Sequence, residues 1–218
     1  MELTNEQIAS IVRSVLLGGE KSGAAQDMSI PVGISNRHIH LSKEDVETLF
    51  GKGYELTPMK ELSQPGQYAC KETLTIVGPS MRPIENVRVL GPVRGKSQVE
   101  ISRTDSFTLK VKPPVRESGK LEGSAPIRII GPKGIVELKE GCIIANRHIH
   151  MSPSDAAQFG VRDYDFVTVA ADGERRCTWY DVQVRVHPDF RLEMHVDTDD
   201  ANAAGIGNGF KVKMIKRA

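Results

Sequence analysis

The sequence predicts a mainly β protein made of two similar barrels or sandwiches with few, short helices. Many short apolar runs are bounded by Gly, Pro or Ser, a pattern typical of strands joined by turns. Gly-Pro pairs end such runs at Gly78, Gly91 and Gly131. The strands do not alternate with long helices, which disfavours a Rossmann-type sheet. Residues 36–42 return at 146–152, and this internal repeat indicates two related halves.

A short amphipathic helix is predicted before the β region. Thr4 and Gln7 fit a capping box, and apolar residues recur at helical spacing between Ile8 and Leu16. Residues 18–27 are rich in Gly, Ala, Ser and charge, which is typical of a flexible linker. Such a helix cannot bury its apolar face alone, so docking on a partner or on another copy is favoured over docking on the body.

The elements of the body follow in order from residue 30. Helices are predicted over 43–50 and 154–159, where Ser42 and Ser152 are suitable caps, and a third over 199–204. The predicted strands are 30–34, 73–77, 87–90, 98–102, 127–130, 135–138, 143–145, 166–170, 182–186, 191–196 and 210–215.

Composition excludes several classes of protein. With 29 basic and 28 acidic residues the net charge is +1, which gives no electrostatic case for nucleic acid as a partner. The 3 cysteines include no Cys-x-x-Cys spacing, so a reducing, intracellular setting is favoured. No run is long enough to cross a membrane, and the N-terminus does not have the pattern of a secretory signal. A cytoplasmic protein is therefore expected.

The repeated segment carries the strongest chemical signal. It contains His38 and His40 in the first copy and His148 and His150 in the second. Side chains two residues apart share a face of a strand, so each pair can close on one cation. The two pairs could form one four-histidine site or two metal sites that face each other. Alternatively, the repeat is a relic of duplication, and hydrogen bonds satisfy the histidines.

A catalytic zinc site usually has three protein ligands and one open position, so each pair needs a third ligand. His195 lies in a strand whose polar face also carries Glu193 and Asp197, whereas His187 is expected to face water. Glu100 alternates with apolar neighbours and could complete the other site, or it could be a solvent-facing glutamate.

Two further residues have both a chemical and a structural interpretation. Cys142 could supply a thiolate to zinc, but its apolar neighbours favour a buried core cysteine. Arg94 lies on a glycine-flanked loop and could clamp a phosphate or carboxylate, or it could be a surface arginine. No serine-hydrolase elbow, P-loop or dinucleotide fingerprint is present in the sequence.

Taken together, these motifs resemble the PduL-type phosphate acyltransferases (phosphotransacylases) of bacterial microcompartments. The resemblance covers the chain from about residue 30 onward, in blocks at 33–42, 64–69, 90–94, 97–105, 146–153, 191–195, 197–199 and 201–205. It implies two β-barrel domains capped by short helices. Residues 28–36 plus 146–218 would form the first barrel, and 37–145 the second, with an inserted lid hairpin.

The resemblance also implies an activity, acyl-CoA plus phosphate giving acyl phosphate plus CoA, at a site with two zinc ions per chain. His38, His40 and Glu100 would hold one zinc, and His148, His150 and His195 the other. Arg94 would bind phosphate. The CoA site would be lined by Ser35, Lys60, Arg88, Leu90, His195 and Asn202. A dinuclear zinc thioesterase and a zinc-stabilised structural module of the compartment are the alternatives.

Location and partners are implied as well. Residues 1–27 would act as an encapsulation peptide that binds shell or cargo proteins, and the enzyme would be a homo-oligomer inside a microcompartment in the cytoplasm. The sequence does not fix the length of the acyl chain, because one methylene changes binding only modestly.

Overall fold

The computed structural model of the chain describes residues 28–215. The predicted N-terminal helix and its linker lie outside the described residues. Among residues 28–215 no helix is long and apolar enough to cross a membrane. All three cysteines are free thiols, and Cys142 is fully buried, so its interpretation as a core residue is confirmed.

The described part of the chain contains fourteen strands and four short helices. The strands are β1 Ser29–Ser35, β2 His38–His40, β3 Pro58–Glu61, β4 Tyr68–Val77, β5 Pro83–Gly91, β6 Gln98–Glu100, β7 Val115–Arg116, β8 Ala125–Ile130, β9 Ile135–Ala145, β10 His148–Met151, β11 Phe166–Ala171, β12 Cys177–Val186, β13 Glu193–Asp197 and β14 Lys211–Ile215. The helices are α1 Lys43–Phe50, α2 Arg103–Leu109, α3 Pro153–Phe159 and α4 Thr198–Ala204.

One closed barrel, called here the C-terminal barrel, has the strand order β1-β13-β10-β12-β11-β14. Its first strand comes from the other end of the chain. β1 pairs in parallel with β13 and antiparallel with β14, and so closes the ring. Alternate residues of β1, Ile30 and Val32, point inward and are buried with Ile149, Trp179 and Met194.

A second ring, called here the central barrel, is built from β4, β5, β2, β6, β9 and β8. The ring closes because β8 pairs with both β9 and β4. Two further strands lie outside the ring, since β3 pairs with β4 and β7 pairs with β9. Its core includes Ile39, Leu74, Val99 and Ile129. The predicted mainly β fold of two barrels with short helices is therefore confirmed.

Each barrel repeats the same local arrangement. A His-x-His strand runs into a helix whose capping serine, Ser42 or Ser152, accepts a hydrogen bond from the third helical N–H. Arg37 of the first copy forms a bidentate pair with Asp105 on α2. Arg147 of the second copy binds Asp200 on α4. Helices α2 and α4 are thus each held against one copy of the repeat by equivalent ion pairs.

The structure differs from the predicted elements at three places. The predicted strands 135–138 and 143–145 form one strand, which passes Gly141 (φ +153°) without a turn but with a shift in its register against β8. The predicted strand 98–102 ends at Glu100, since Ser102 caps α2, which was not predicted. Strands β3 and β7 were also missed, because both are short and fully exposed and have no apolar alternation.

Candidate active site

The two histidine pairs meet their third residues through the same register in both barrels. In the antiparallel pairing of β2 with β6, His38 lies opposite Glu100. In the antiparallel pairing of β10 with β13, His148 lies opposite His195. Glu100 and His195 therefore occupy equivalent positions in the repeat. Each barrel brings together one triad on two adjacent strands.

The first triad consists of His38, His40 and Glu100. One ligand atom from each of them lies within 4.8 Å of the others, and all three side chains are buried. Nε2 of His38 is 3.6 Å from Oε2 of Glu100, and Nε2 of His40 is 3.9 Å from Oε1. Two imidazoles and a carboxylate at this spacing suit zinc and other divalent ions.

The second triad consists of His148, His150 and His195. Its ring centroids are 4.8 Å, 4.8 Å and 5.1 Å apart. Three imidazoles bound tetrahedrally at about 2.0–2.1 Å from one zinc would place their centroids about 5 Å apart. Within residues 28–215, however, only the first triad brings all its ligand atoms within 4.8 Å of one another.

His195 is held by a carboxylate of its own strand, because its Nε2 atom lies 2.8 Å from Oε2 of Glu193. Glu193 also accepts hydrogen bonds from the hydroxyl of Ser63 and from Nε2 of Gln64, both in the central barrel. Gly33 leaves room for this carboxylate, since a Cβ there would lie 2.9 Å from its Cδ. A carboxylate on Nε2–H fixes the tautomer of a histidine and leaves Nδ1 to act as the ligand.

The first histidine of each copy, His38 or His148, has the same environment in both barrels. Nδ1 of His38 lies 2.8 Å from the carbonyl oxygen of Asn36, and Nδ1 of His148 lies 2.8 Å from that of Asn146. This contact leaves Nε2 of each ring as the lone-pair nitrogen.

The second histidine of each copy has an orphaned nitrogen. Nδ1 of His40 and Nδ1 of His150 are buried and have no hydrogen-bond partner in the described part of the chain. Buried polar atoms are normally satisfied, so the orphaned Nδ1 of His150 is open to a metal ion, whereas His40 already turns Nε2 toward Glu100. The residues of both triads therefore fit a metal ion each.

Burial keeps most of these imidazoles neutral. It lowers the pKa of His40 to about 2 and that of His150 to about 3, and the pKa of His148 also falls well below its usual value. Burial would raise the pKa of Glu100, but His38 outweighs it and brings the pKa below the usual range. Burial likewise opposes protonation of His38, yet Glu100 raises its pKa overall. Neutral imidazoles and an ionised carboxylate are the forms that bind metals.

Glu100 is held by a small polar network. Ser118 donates its hydroxyl proton to Oε1 of Glu100 over 2.8 Å, and Gln98 donates to the same oxygen. Nη1 of Arg94 donates to the Ser118 hydroxyl over 3.1 Å. The loop that carries Arg94 is itself anchored, because the Arg94 N–H donates to the Leu41 carbonyl oxygen over 2.8 Å.

Both triads and Arg94 face one cleft with an accessible volume of about 320 Å³. Among the predicted CoA residues, Ser35, Leu90 and His195 line it. The other three lie outside its lining. Lys60 is exposed on β3, Asn202 is exposed on α4, and the Arg88 guanidinium donates to the carbonyl oxygens of Cys70 and Lys71.

Sequence reasoning assigned no role to several residues that the structure places at this cleft. Ser118, Arg185 and Phe190 line it, Phe190 with its ring stacked 4.3 Å from that of His150. The role of Gln98 as a hydrogen-bond donor to Glu100 could have been predicted, because the two residues share a strand face. Arg185 alternates with Gln183 around buried Val184, which is a weaker signal of the same kind.

Comparison with known proteins identifies the family of the chain. Residues 31–207 match the family model described as phosphate propanoyltransferase. The chain is 62% identical to the phosphate propanoyltransferase of Thermotoga maritima over 192 residues, 88% of this chain and 91% of that protein. It is 56% identical over 214 residues to the enzyme of the same name from Lachnoclostridium phytofermentans, covering 98% and 100%.

A third relative, the phosphate propanoyltransferase of Salmonella typhimurium, is 49% identical over 207 residues, which cover 94% of this chain and 95% of that protein. These matches extend over both barrels and include both histidine repeats. They confirm the resemblance inferred from the sequence motifs. The chain therefore belongs to the phosphate propanoyltransferase family.

Proposed function

We propose that the protein transfers a short acyl group, with propanoyl as the leading candidate, between CoA and phosphate in the cleft between the two triads. The acyltransferase class follows from the family, and propanoyl is taken from the names of the relatives. The observation that carries the proposal is the convergence of both triads and Arg94 on one cleft. A transfer between a thioester and an anion needs groups for both substrates at one place.

Each triad would hold one divalent metal ion, and zinc is the ion we expect. His38, His40 and Glu100 would bind the first, and His148, His150 and His195 the second. The close spacing of His38, His40 and Glu100 and the orphaned Nδ1 of His150 support this assignment. When bound, such ions supply Lewis-acid polarisation of the thioester carbonyl and stabilise a leaving thiolate.

The protein itself would position phosphate. The Arg94 guanidinium can donate hydrogen bonds to phosphate oxygens and offset the repulsion between an anion and the developing charge on the thioester. Ser118 holds this guanidinium beside Glu100. The leucines that line the cleft, Leu62 and Leu90, offer an apolar surface to a short acyl chain.

Direct attack by phosphate is the chemistry that these residues favour. A phosphate oxygen forms the bond to the acyl carbon, the carbon–sulfur bond breaks, and its electron pair leaves with the sulfur of CoA. Cys70 and Cys142 do not compete as nucleophiles, because both are buried in the central core and burial raises their thiol pKa values to about 11 and about 12.

A CoA-release assay on protein of known metal content tests the proposal. We expect release from acetyl-, propanoyl- and butanoyl-CoA to require phosphate and to yield acyl phosphate. The exposed His187 provides a matched control, because His187→Gln should keep full activity, whereas His148→Gln should lose it. Release at the same rate in water alone would instead identify a dinuclear zinc thioesterase, and no release at all would favour a zinc-stabilised structural module.

We further propose that the enzyme works as a homo-oligomer inside a bacterial microcompartment, with residues 1–27 as the segment that binds shell or cargo proteins. Support comes from the amphipathic pattern between Ile8 and Leu16 and from the linker composition after it. The division of the body into 28–36 plus 146–218 and 37–145, with a lid hairpin in the latter, is part of the same proposal.

A further inference from the structure

Two guanidinium groups face the cleft from opposite barrels. Arg94 comes from the central barrel, and Arg185 comes from β12 of the C-terminal barrel. No carboxylate within residues 28–215 forms an ion pair with either of them. Burial lowers the pKa of both side chains. Two partly desolvated cations on one cleft, neither in a direct ion pair, favour the binding of an anion.

Arg185 is held in place by neutral amides. Its Nη2 donates to Oδ1 of Asn146 over 2.7 Å, and its Nε donates to Oε1 of Gln183 over 3.3 Å. Nδ2 of Asn146 donates to the same Gln183 oxygen over 2.8 Å, which fixes both acceptors. The remaining nitrogen, Nη1, makes no hydrogen bond to any residue that the structure describes. The guanidinium is therefore oriented and keeps a free donor, while Glu117 and Glu100 act on its charge without a direct ion pair.

The position of Arg185 breaks the symmetry of the repeat. In the parallel pairing of β10 with β12, His150 lies beside Arg185. The parallel pairing of β2 with β5 sets Ile39 beside Val89, so Leu90, the next residue of β5, is the counterpart of Arg185. Equivalent positions thus carry a cation next to the second triad and an apolar side chain next to the first. The two copies of the repeat therefore differ beside their second histidines, and the cation of the first copy, Arg94, comes from a loop instead.

We propose that Arg185 binds the phosphate group of the reaction, so that phosphate or acyl phosphate is held between Arg185 of one barrel and Arg94 of the other. The inference rests on the proposed function. Two guanidiniums together balance the charge of a phosphate dianion, and each offers paired donors to its oxygens. The phosphates of CoA share this chemistry, and the two sources are separated by experiment.

The kinetic test uses full-length, metal-loaded Arg185→Gln. We expect the KM for phosphate to rise at least about tenfold, as the loss of a charged hydrogen bond predicts, while the KM for propanoyl-CoA changes less than about twofold. In the reverse direction the KM for acyl phosphate should rise and that for CoA should not. Arg128→Gln, which removes an exposed arginine of β8, is the matched control and should change neither.

A binding test is independent of turnover. Inorganic phosphate should raise the melting temperature of the wild type, and Arg185→Gln should need about tenfold more phosphate for the same shift. Arg185→Lys keeps the charge but loses the paired donors, so its phosphate KM should be intermediate. If the Gln variant does not fold, as judged by metal content and circular dichroism, the Lys variant decides.

Three outcomes would overturn the assignment. One is an unchanged phosphate KM and thermal response in Arg185→Gln, or in Arg185→Lys if only that variant folds. Another is a rise in the KM for CoA with phosphate binding unchanged, which would assign Arg185 to the binding of CoA. The third is an equal loss in the Arg128→Gln control. If the wild type itself lacks phosphate-dependent CoA release, the proposed function has failed, and that result is distinguishable from all three.

Discussion

Arg94 and Glu100 are linked by a single hydroxyl group, that of Ser118. Nη1 of Arg94 donates to Oγ of Ser118 over 3.1 Å, and the same hydroxyl donates to Oε1 of Glu100 over 2.8 Å. The residue proposed to bind phosphate and the residue proposed to bind metal are thus connected without touching. A change at Arg94 should therefore affect the anion without releasing the ion.

Arg94→Ala tests this separation. We expect kcat/KM for phosphate to fall about 10–100-fold, the range for a lost charged hydrogen bond, while the metal content remains that of the wild type. Steady-state kinetics with metal analysis on the same sample measures both. The exposed arginine variant Arg82→Ala is the control. Unchanged phosphate kinetics in Arg94→Ala would remove its assigned role.

Glu193→Gln should weaken the second metal site selectively. Glu193 accepts from Nε2 of His195 and so orients that ring, and removal of such a partner typically reduces metal affinity about 10–100-fold. Chelator titration should then release one ion early and the other at the wild-type concentration. Glu85→Gln, an exposed change on β5, should have no effect. Simultaneous loss of both ions would show that Glu193 acts on the whole cleft.

The metal-free protein should become less stable as the pH falls. The folded pKa values of His40 (about 2) and His150 (about 3) lie below the ordinary value of about 6.5. Below that value the unfolded chain binds protons that the folded chain does not, so the free energy of unfolding decreases by about 1.4 kcal/mol per pH unit for each such histidine. Their contribution is complete above about pH 6.5 and is lost toward acid pH.

Urea unfolding of chelator-treated protein between about pH 7.5 and pH 5 measures this dependence. Other groups titrate in the same range, so the comparison with His150→Gln isolates one histidine. The slope of the variant should be smaller by about one proton. Equal slopes would mean that His150 is protonated in the folded protein.

The equivalent ion pairs of the repeat should differ in strength. The side chain of Asp105 is 6% exposed and that of Asp200 is 24% exposed, whereas the two arginines are similar at 35% and 37%. Arg37→Ala leaves a buried carboxylate unpaired and should lower the free energy of unfolding by about 2–4 kcal/mol. Arg147→Ala should lower it by about 1 kcal/mol, since Asp200 can be solvated.

Denaturant unfolding of the two arginine variants provides the measurement, with each serving as the control for the other. The reverse order of stabilities would mean that the exposure of the carboxylate does not determine the strength of these pairs.

Removal of residues 1–20 should keep the activity and change the assembly. A tethered amphipathic helix contributes an apolar face to partners rather than to the catalytic cleft. Light scattering after size-exclusion chromatography, together with the CoA-release assay, reports both properties. Loss of activity with unchanged assembly would mean that the helix belongs to the fold.

Local signals in the sequence predicted some elements closely. Helix α1 was predicted over its full length, because Ser42 caps it and Gly51 follows it. Helix α2 was missed, although Ser102 and Asp105 form a capping box. That signal follows a strand directly, and the short helix is held by the pair between Arg37 and Asp105 and by the burial of Leu109, which depend on distant segments.

The sequence predicted which face of its strand a site residue occupies, but it did not predict which residues lie opposite each other. Alternation indicated that Glu100 and His195 lie on polar faces, but their positions opposite His38 and His148 depend on strand register. Arg185 carries no local motif, and its place beside His150 follows from a parallel pairing between distant segments. Hydrogen-bonded supports such as Ser118 come from loops, whose paths alternation does not predict.

The crossover of β1 imposes an order on biosynthesis. Strand β1 leaves the ribosome before the central barrel but pairs with β13 and β14, whose residues are made after it. At about 5–20 residues per second, the first strand waits many seconds for its neighbours. The central barrel, whose strands are contiguous in the chain, can close during that time. The second triad needs β13, so the nascent chain completes the cleft only after the whole central barrel and β10 have been made.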